Sequence, residues 1–153
     1  MQRIQKNRIG YAGMILVQSL FLREGITCET AEGIIDLEVQ LTKPKRKFGV
    51  LVVTNLRPKK AGGKGKEALD WWIPIKNEAD FIVCVDLSTL RVWIFGAAEM
   101  SRFAQQRSKN KLHFYMYTDN AVALRGKKAS KFDYEFESYR LENRIYRGVF
   151  DRK

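Results

Sequence analysis

One uninterrupted apolar run limits what this chain can fold into. Phe48 to Thr54 (FGVLVVT) carries no charged side chain and no polar alternation. A strand of that kind has no face to give to water, so other elements must cover both of its faces. The sequence therefore asks for a central strand inside a layered structure. Neighbouring segments supply the layers. From Ile9 to Glu24 the apolar positions Ile9, Ala12, Leu16 and Leu20 recur at helical spacing beside Gly13, and Ile15 and Leu22 widen the stripe. Gly25 follows, where a helix stops cheaply in the left-handed conformation.

Ile26 to Thr30 reads as a short strand. In Ile34 to Leu41 the residues Ile35, Leu37, Val39 and Leu41 share one face, opposite Asp36, Glu38 and Gln40. Lys43, Lys45, Arg46 and Lys47, with Pro44 among them, read as an exposed hairpin loop before the apolar strand. Phe81 to Leu87 and Arg91 to Phe95 flank Ser88-Thr89-Leu90 as a second hairpin. A helix is expected over Ala97 to Gln106 and a strand over Leu112 to Thr118. Ser130 and Asp133 suit the start of a last helix carrying Phe132, Phe136, Tyr139 and Tyr146 near one stripe. No repeat or linker divides the 153 residues. The expectation is a single α/β (α+β) domain over 1–153, with one central mixed sheet flanked by helices.

Charge narrows the function. Lys and Arg number 28 against 17 Asp and Glu, a formal net charge of +11. Such an excess suits nucleic acid, because neutralising phosphates releases condensed counterions. An anionic membrane or an acidic protein would draw on the same charge. The uncharged run from Ile9 to Leu22 follows Arg3, Lys6 and Arg8 in the manner of a leader. At fourteen residues it is shorter than the roughly 20 that a membrane span needs, so a buried helix is expected and no membrane. Cys28 and Cys84 match no metal-ligand spacing and lie in apolar runs, which points to a reducing, cytoplasmic setting. A single histidine, His113, leaves little for a zinc site or a His-based triad.

Several features could carry chemistry. Arg57 to Lys66 (RPKKAGGKGK) holds Arg57, Lys59, Lys60, Lys64 and Lys66 with three glycines and no acid. Glycines let backbone N–H groups approach phosphate, and the lysines add charge. The segment is no nucleotide-binding P-loop, since Gly65-Lys66 precedes Glu67 rather than Ser or Thr. A solvated, mobile loop has the same composition. Asp36 and Glu38, two apart on a strand, point the same way and could share a divalent cation, or form the wet side of a half-buried strand. Trp71, Trp72 and Trp93 suit base stacking, a core or an oligomer interface. No hydroxyl or thiol has a recognisable base partner for covalent catalysis.

The order of features — a helix opening near Gly10 and Gly13, Asp36 beginning a strand, and an apolar strand ending Val53-Thr54-Asn55 — resembles the PD-(D/E)XK, or restriction-endonuclease-like, superfamily. Within it, the chain resembles small Holliday junction resolvases and intron-encoded endonucleases. The resemblance covers Arg8 to Phe95 and implies a restriction-endonuclease-like core acting on DNA, often as a homo-oligomer. It also implies Mg²⁺ held by an Asp and a second acid or Gln, with a Lys two residues further on positioning the attacking water. Asp36 falls at the first position, as catalytic residue and metal ligand. Leu51 falls at the acid position and Val53 at the Lys position, while Met14 follows Gly13 where many members carry Glu.

Three readings follow. One is a DNA-binding protein that has lost its chemistry and needs no cofactor. It would grip phosphates through Lys43, Lys45, Arg46, Lys47, Arg57, Lys59, Lys60, Lys64 and Lys66, with RNA not excluded. Another is a Mg²⁺-dependent endonuclease using Asp36 and Glu38, with Lys47 or a lysine of residues 59–66 beside them. The third is a structural or regulatory protein binding an acidic partner.

Overall fold

The computed structural model describes residues 7–60, 66–119 and 132–151. Helix α1 (Arg8–Arg23) begins where the Asn7 side chain accepts the Gly10 N–H, an N-cap that satisfies one of the helix's unpaired donors. It ends at Glu24, and Gly25 at φ 75° turns the chain away. Strands β1 (Thr27–Thr30), β2 (Leu37–Thr42) and β3 (Lys45–Asn55) run antiparallel in succession. Strand β6 (Phe81–Asp86) pairs parallel with β3, and β7 (Arg91–Gly96) antiparallel with β6. The central sheet is thus mixed, in the order β1-β2-β3-β6-β7.

The apolar run lies where its composition demands. On one face of the sheet, Val50 and Val52 join Leu37, Val39, Val83 and Val85 beneath Met14, Val17 and Phe21 of α1, with Val149 and Phe150 from the C-terminal segment. On the other, Leu51 meets Ile82, Cys84, Trp93 and Phe95. Gly13 lets α1 sit directly on β3, because a Cβ there would collide with the Thr54 side chain. Both cysteines are free, and burial pushes the Cys84 thiol well up from its ordinary value.

A second sheet covers the latter face, and local patterning did not foretell it. Strands β4 (Lys59–Lys60), β5 (Glu67–Pro74), β8 (Gln106–Arg107) and β9 (Lys111–Tyr117) form it, all antiparallel, in the order β4-β5-β9-β8. Leu69, Trp71 and Ile73 of β5, with Leu112, Phe114 and Met116 of β9, point inward. Trp71 stacks on Phe114 at 5.9 Å and donates its indole N–H to the Val85 carbonyl on the central sheet.

Several sequence expectations need correcting. Lys45, Arg46 and Lys47 belong to β3 rather than to a loop, and the turn is only Lys43-Pro44. This half of β3 pairs with β2 alone and leaves one face wet, so Lys45 and Lys47 stand in water on a regular strand. Lys59 and Lys60 likewise form an edge strand against Glu67 and Ala68. Lys64 lies outside the described residues. The helix expected to reach Gln106 stops at Phe103 (α2, Ala97–Phe103), and Gln106 starts β8. At the C-terminus a 3-10 turn (Asp133–Tyr139) precedes α3 (Leu141–Tyr146), so the stripe breaks and Tyr146 is 91% exposed. Its cap is Phe132, whose N–H is accepted by Glu135, while Ser130 lies outside the described residues. No described helix is long and apolar enough to cross a membrane.

Candidate nucleic-acid interface

Strand β2 leaves β3 at Asp36, so β3 continues from Val50 to Asn55 with no strand on that side. Asp36 closes the separation itself. Its backbone N–H donates to the Val50 carbonyl, and its Oδ2 accepts the Val52 N–H at 2.7 Å. The side chain thereby takes the place that the next strand residue would have filled. The residue is 8% exposed, and this backbone contact is an evident reason for an acid at that corner. Asp36→Ala should destabilise the fold by about 1–3 kcal/mol, because it strips a buried N–H of its acceptor. Urea unfolding with and without Mg²⁺ measures this; an undisturbed stability would show that the Val52 contact contributes little.

Glu38 lies elsewhere on the sheet. It faces water, 3.6 Å from Lys47 Nζ and hydrogen-bonded to Gln40. Leu51 is core, and Val53 packs against the same apolar cluster. The corner thus presents one carboxylate already bonded to the backbone, beside aliphatic side chains. A hard cation prefers several oxygens, and this donor set does not fit Mg²⁺. Among the described residues no group of three His, Cys, Asp or Glu side chains converges as a metal site.

Beyond Val50, the open edge of β3 faces the second sheet. Asn55 joins the two, donating its side-chain amide to the Asp70 carbonyl at 2.6 Å and accepting the Asp70 N–H at 2.8 Å. Between the N-terminus of α1, the end of β3 and the outer face of the second sheet lies an open cleft of about 1000 Å³. Val52, Val53 and Thr54 form one wall; Arg57, Lys59 and Lys60 stand on another. Of the basic residues named from sequence, these three line the cleft. Lys43, Lys45, Arg46 and Lys47 lie on the β2–β3 hairpin and Lys66 just before β5, outside it.

The far wall holds what local patterning could not assemble. Alternation on β5 and β9 turns Asp70 and Trp72, with His113, Tyr115 and Tyr117, to the outer face. Register sets Trp72 opposite His113, and their rings stack at 4.0 Å with planes 4° apart. His113 Nε2 lies 3.2 Å from Asp70 Oδ2, and Nδ1 lies 3.2 Å from Gln106 Oε1. Tyr115 follows at 5.5 Å from the imidazole and Tyr117 at 5.7 Å from Tyr115. Trp72 is 49% exposed, whereas Trp71 and Trp93 are buried. Asp70 is the one carboxylate lining the cleft among the described residues, and it is turned to His113.

No family model matches this chain, and no curated protein does. Among solved structures it is similar to a bacterial homing endonuclease, I-Ssp6803I. The match covers 94% of this chain and 93% of that one, with a TM-score of 0.54 and 14% sequence identity. The fold, a mixed sheet flanked by helices, is therefore consistent with a nuclease-like one.

Proposed function

We propose that this chain is a DNA-binding protein on a restriction-endonuclease-like core whose hydrolytic chemistry has been lost, a degenerate member of the PD-(D/E)XK superfamily. The observation that carries the reading is the contrast between two walls of one cleft. Where the resemblance expects an acid and a lysine, β3 has Leu51 and Val53, and Val53 reaches the cleft. Arg57, Lys59 and Lys60 nevertheless line the same cleft with cations. Losing the metal ligands while keeping the cations retains an affinity for phosphate without the means to cleave it. The net charge of +11 reinforces the attraction at a distance.

The test is one incubation series with linear and four-way-junction DNA, with and without Mg²⁺ or Mn²⁺, run on native and denaturing gels. Retarded DNA that stays intact in metal is expected. Metal-dependent cutting that Asp36→Ala abolishes would replace this reading with an active endonuclease using Asp36 and Glu38. Binding no tighter than that of an unrelated protein of equal charge would favour an acidic protein partner.

A further inference from the structure

We infer that the outer face of the second sheet is a seat for unpaired bases, with Trp72 as its stacking anchor, so that the preferred ligand is single-stranded or locally melted DNA. The inference rests on the DNA-binding reading and goes beyond it in naming the form of DNA and the residue that senses it. Three observations converge. One face of the Trp72 indole is covered by the His113 imidazole at 4.0 Å, nearly parallel, while the residue remains 49% exposed. Its ring is thus backed on one side, and no other described aromatic ring stacks on it. The imidazole is fixed in turn by Asp70 and Gln106, one at each ring nitrogen. A large apolar ring left in water yet braced on its hidden side is prepared for a flat partner.

The second observation is the continuation of that face. Tyr115 and Tyr117 follow His113 at alternate positions of β9, with ring centres 5.5 and 5.7 Å apart in sequence. Bases within a duplex are stacked about 3.4 Å apart and show a protein only their edges. Ring faces become available to aromatic side chains when the strand is unpaired and its bases splay. The third observation is charge. Lys59 and Lys60 border this face on the β4 edge, and Arg57 lies at the same cleft, within reach of a backbone whose bases lie on the rings. Aromatic stacking bordered by cations is the chemistry of single-strand recognition.

The experiment compares three ligands of equal length: a dT oligonucleotide, the same backbone with abasic sites, and a duplex. Each is titrated by fluorescence anisotropy against the wild type, Trp72→Ala and Trp72→Phe. The dT strand should bind about 10-fold more tightly than its abasic counterpart, since stacking adds to the phosphate contacts that both share. Trp72→Ala should erase that difference, and Trp72→Phe should restore most of it, the readout being the ratio of dT to abasic affinity within each protein. Because Trp71 and Trp93 are buried, quenching of tryptophan emission by dT should vanish in Trp72→Phe. Equal binding of dT and abasic strands by the wild type, with duplex still bound, would overturn the stacking seat and leave the DNA-binding proposal standing. Failure to bind any of the three would overturn both.

Discussion

Replacing Glu99 by alanine should lower the unfolding free energy by about 3–5 kcal/mol, the largest stability effect expected of a single side chain outside the two apolar cores. Arg144 is 8% exposed and reaches across from α3 to Glu99 Oε1 at 2.6 Å, while also donating to the Ile94 carbonyl on β7. The same carboxylate oxygen accepts the Gly96 N–H at 2.9 Å and so caps α2. One acid therefore ties α3, α2 and the end of β7 together. Its removal leaves a guanidinium in a poorly solvated site with a carbonyl as its remaining described hydrogen-bond acceptor, and uncaps α2 as well. A fall in Tm of about 10 °C or more should follow for a chain of this size. The double variant with Arg144→Met should be less destabilised than the two single changes added together, because no unpaired charge remains. Strict additivity in chemical denaturation would show that the two side chains do not act as a pair. Both residues lie away from the cleft between α1 and the second sheet, so DNA affinity below the unfolding transition should not change.

Much of this architecture was legible because it is written at short range. The 3.6-residue stripe of α1, the unbroken apolar run of β3 and the hairpin of β6 and β7 are each local patterns, and each element lies where the pattern puts it. The mixed central sheet flanked by helices follows from them. The second sheet was not legible. Its alternation is present in β5, with Leu69, Trp71 and Ile73 inward and Asp70 and Trp72 outward, but the adjacent basic, glycine-rich stretch reads as loop, and the tryptophans draw notice singly. Its partner strand is also remote, with Asp70 and His113 standing 43 residues apart. A lone histidine in a sequence gives no hint that a carboxylate, an amide and an indole will surround it. Pairing β5 with β9 by their matched alternation is the signal that would have brought them together. Asp36 shows the opposite limit. Its position was legible, but its bond to the Val52 N–H depends on where β2 parts from β3, which no residue type announces.

Changing Arg57, Lys59 and Lys60 together to alanine should flatten the salt dependence of duplex binding by about 2.7 in the slope of log K against log salt, because each phosphate contact contributes about 0.9. Wild-type affinity should fall about 40-fold more steeply than the variant's as salt rises from about 50 to 200 mM. These three cations were chosen because they line the cleft, whereas Lys43, Lys45 and Lys47 lie on the β2–β3 hairpin. The hairpin triple variant removes the same charge from the chain, so it is the matched control. Long-range attraction depends chiefly on net charge and would weaken equally in both, whereas counterion release depends on which cations touch phosphate. A flattened slope in the cleft variant alone would locate the DNA backbone beside Trp72, where stacking on that indole becomes possible. A flattened slope in the hairpin variant alone would place the DNA on the wet half of β3 instead. Equal slopes in both variants and the wild type would mean that the bound phosphates lie on neither, and would remove the cleft from the reading altogether.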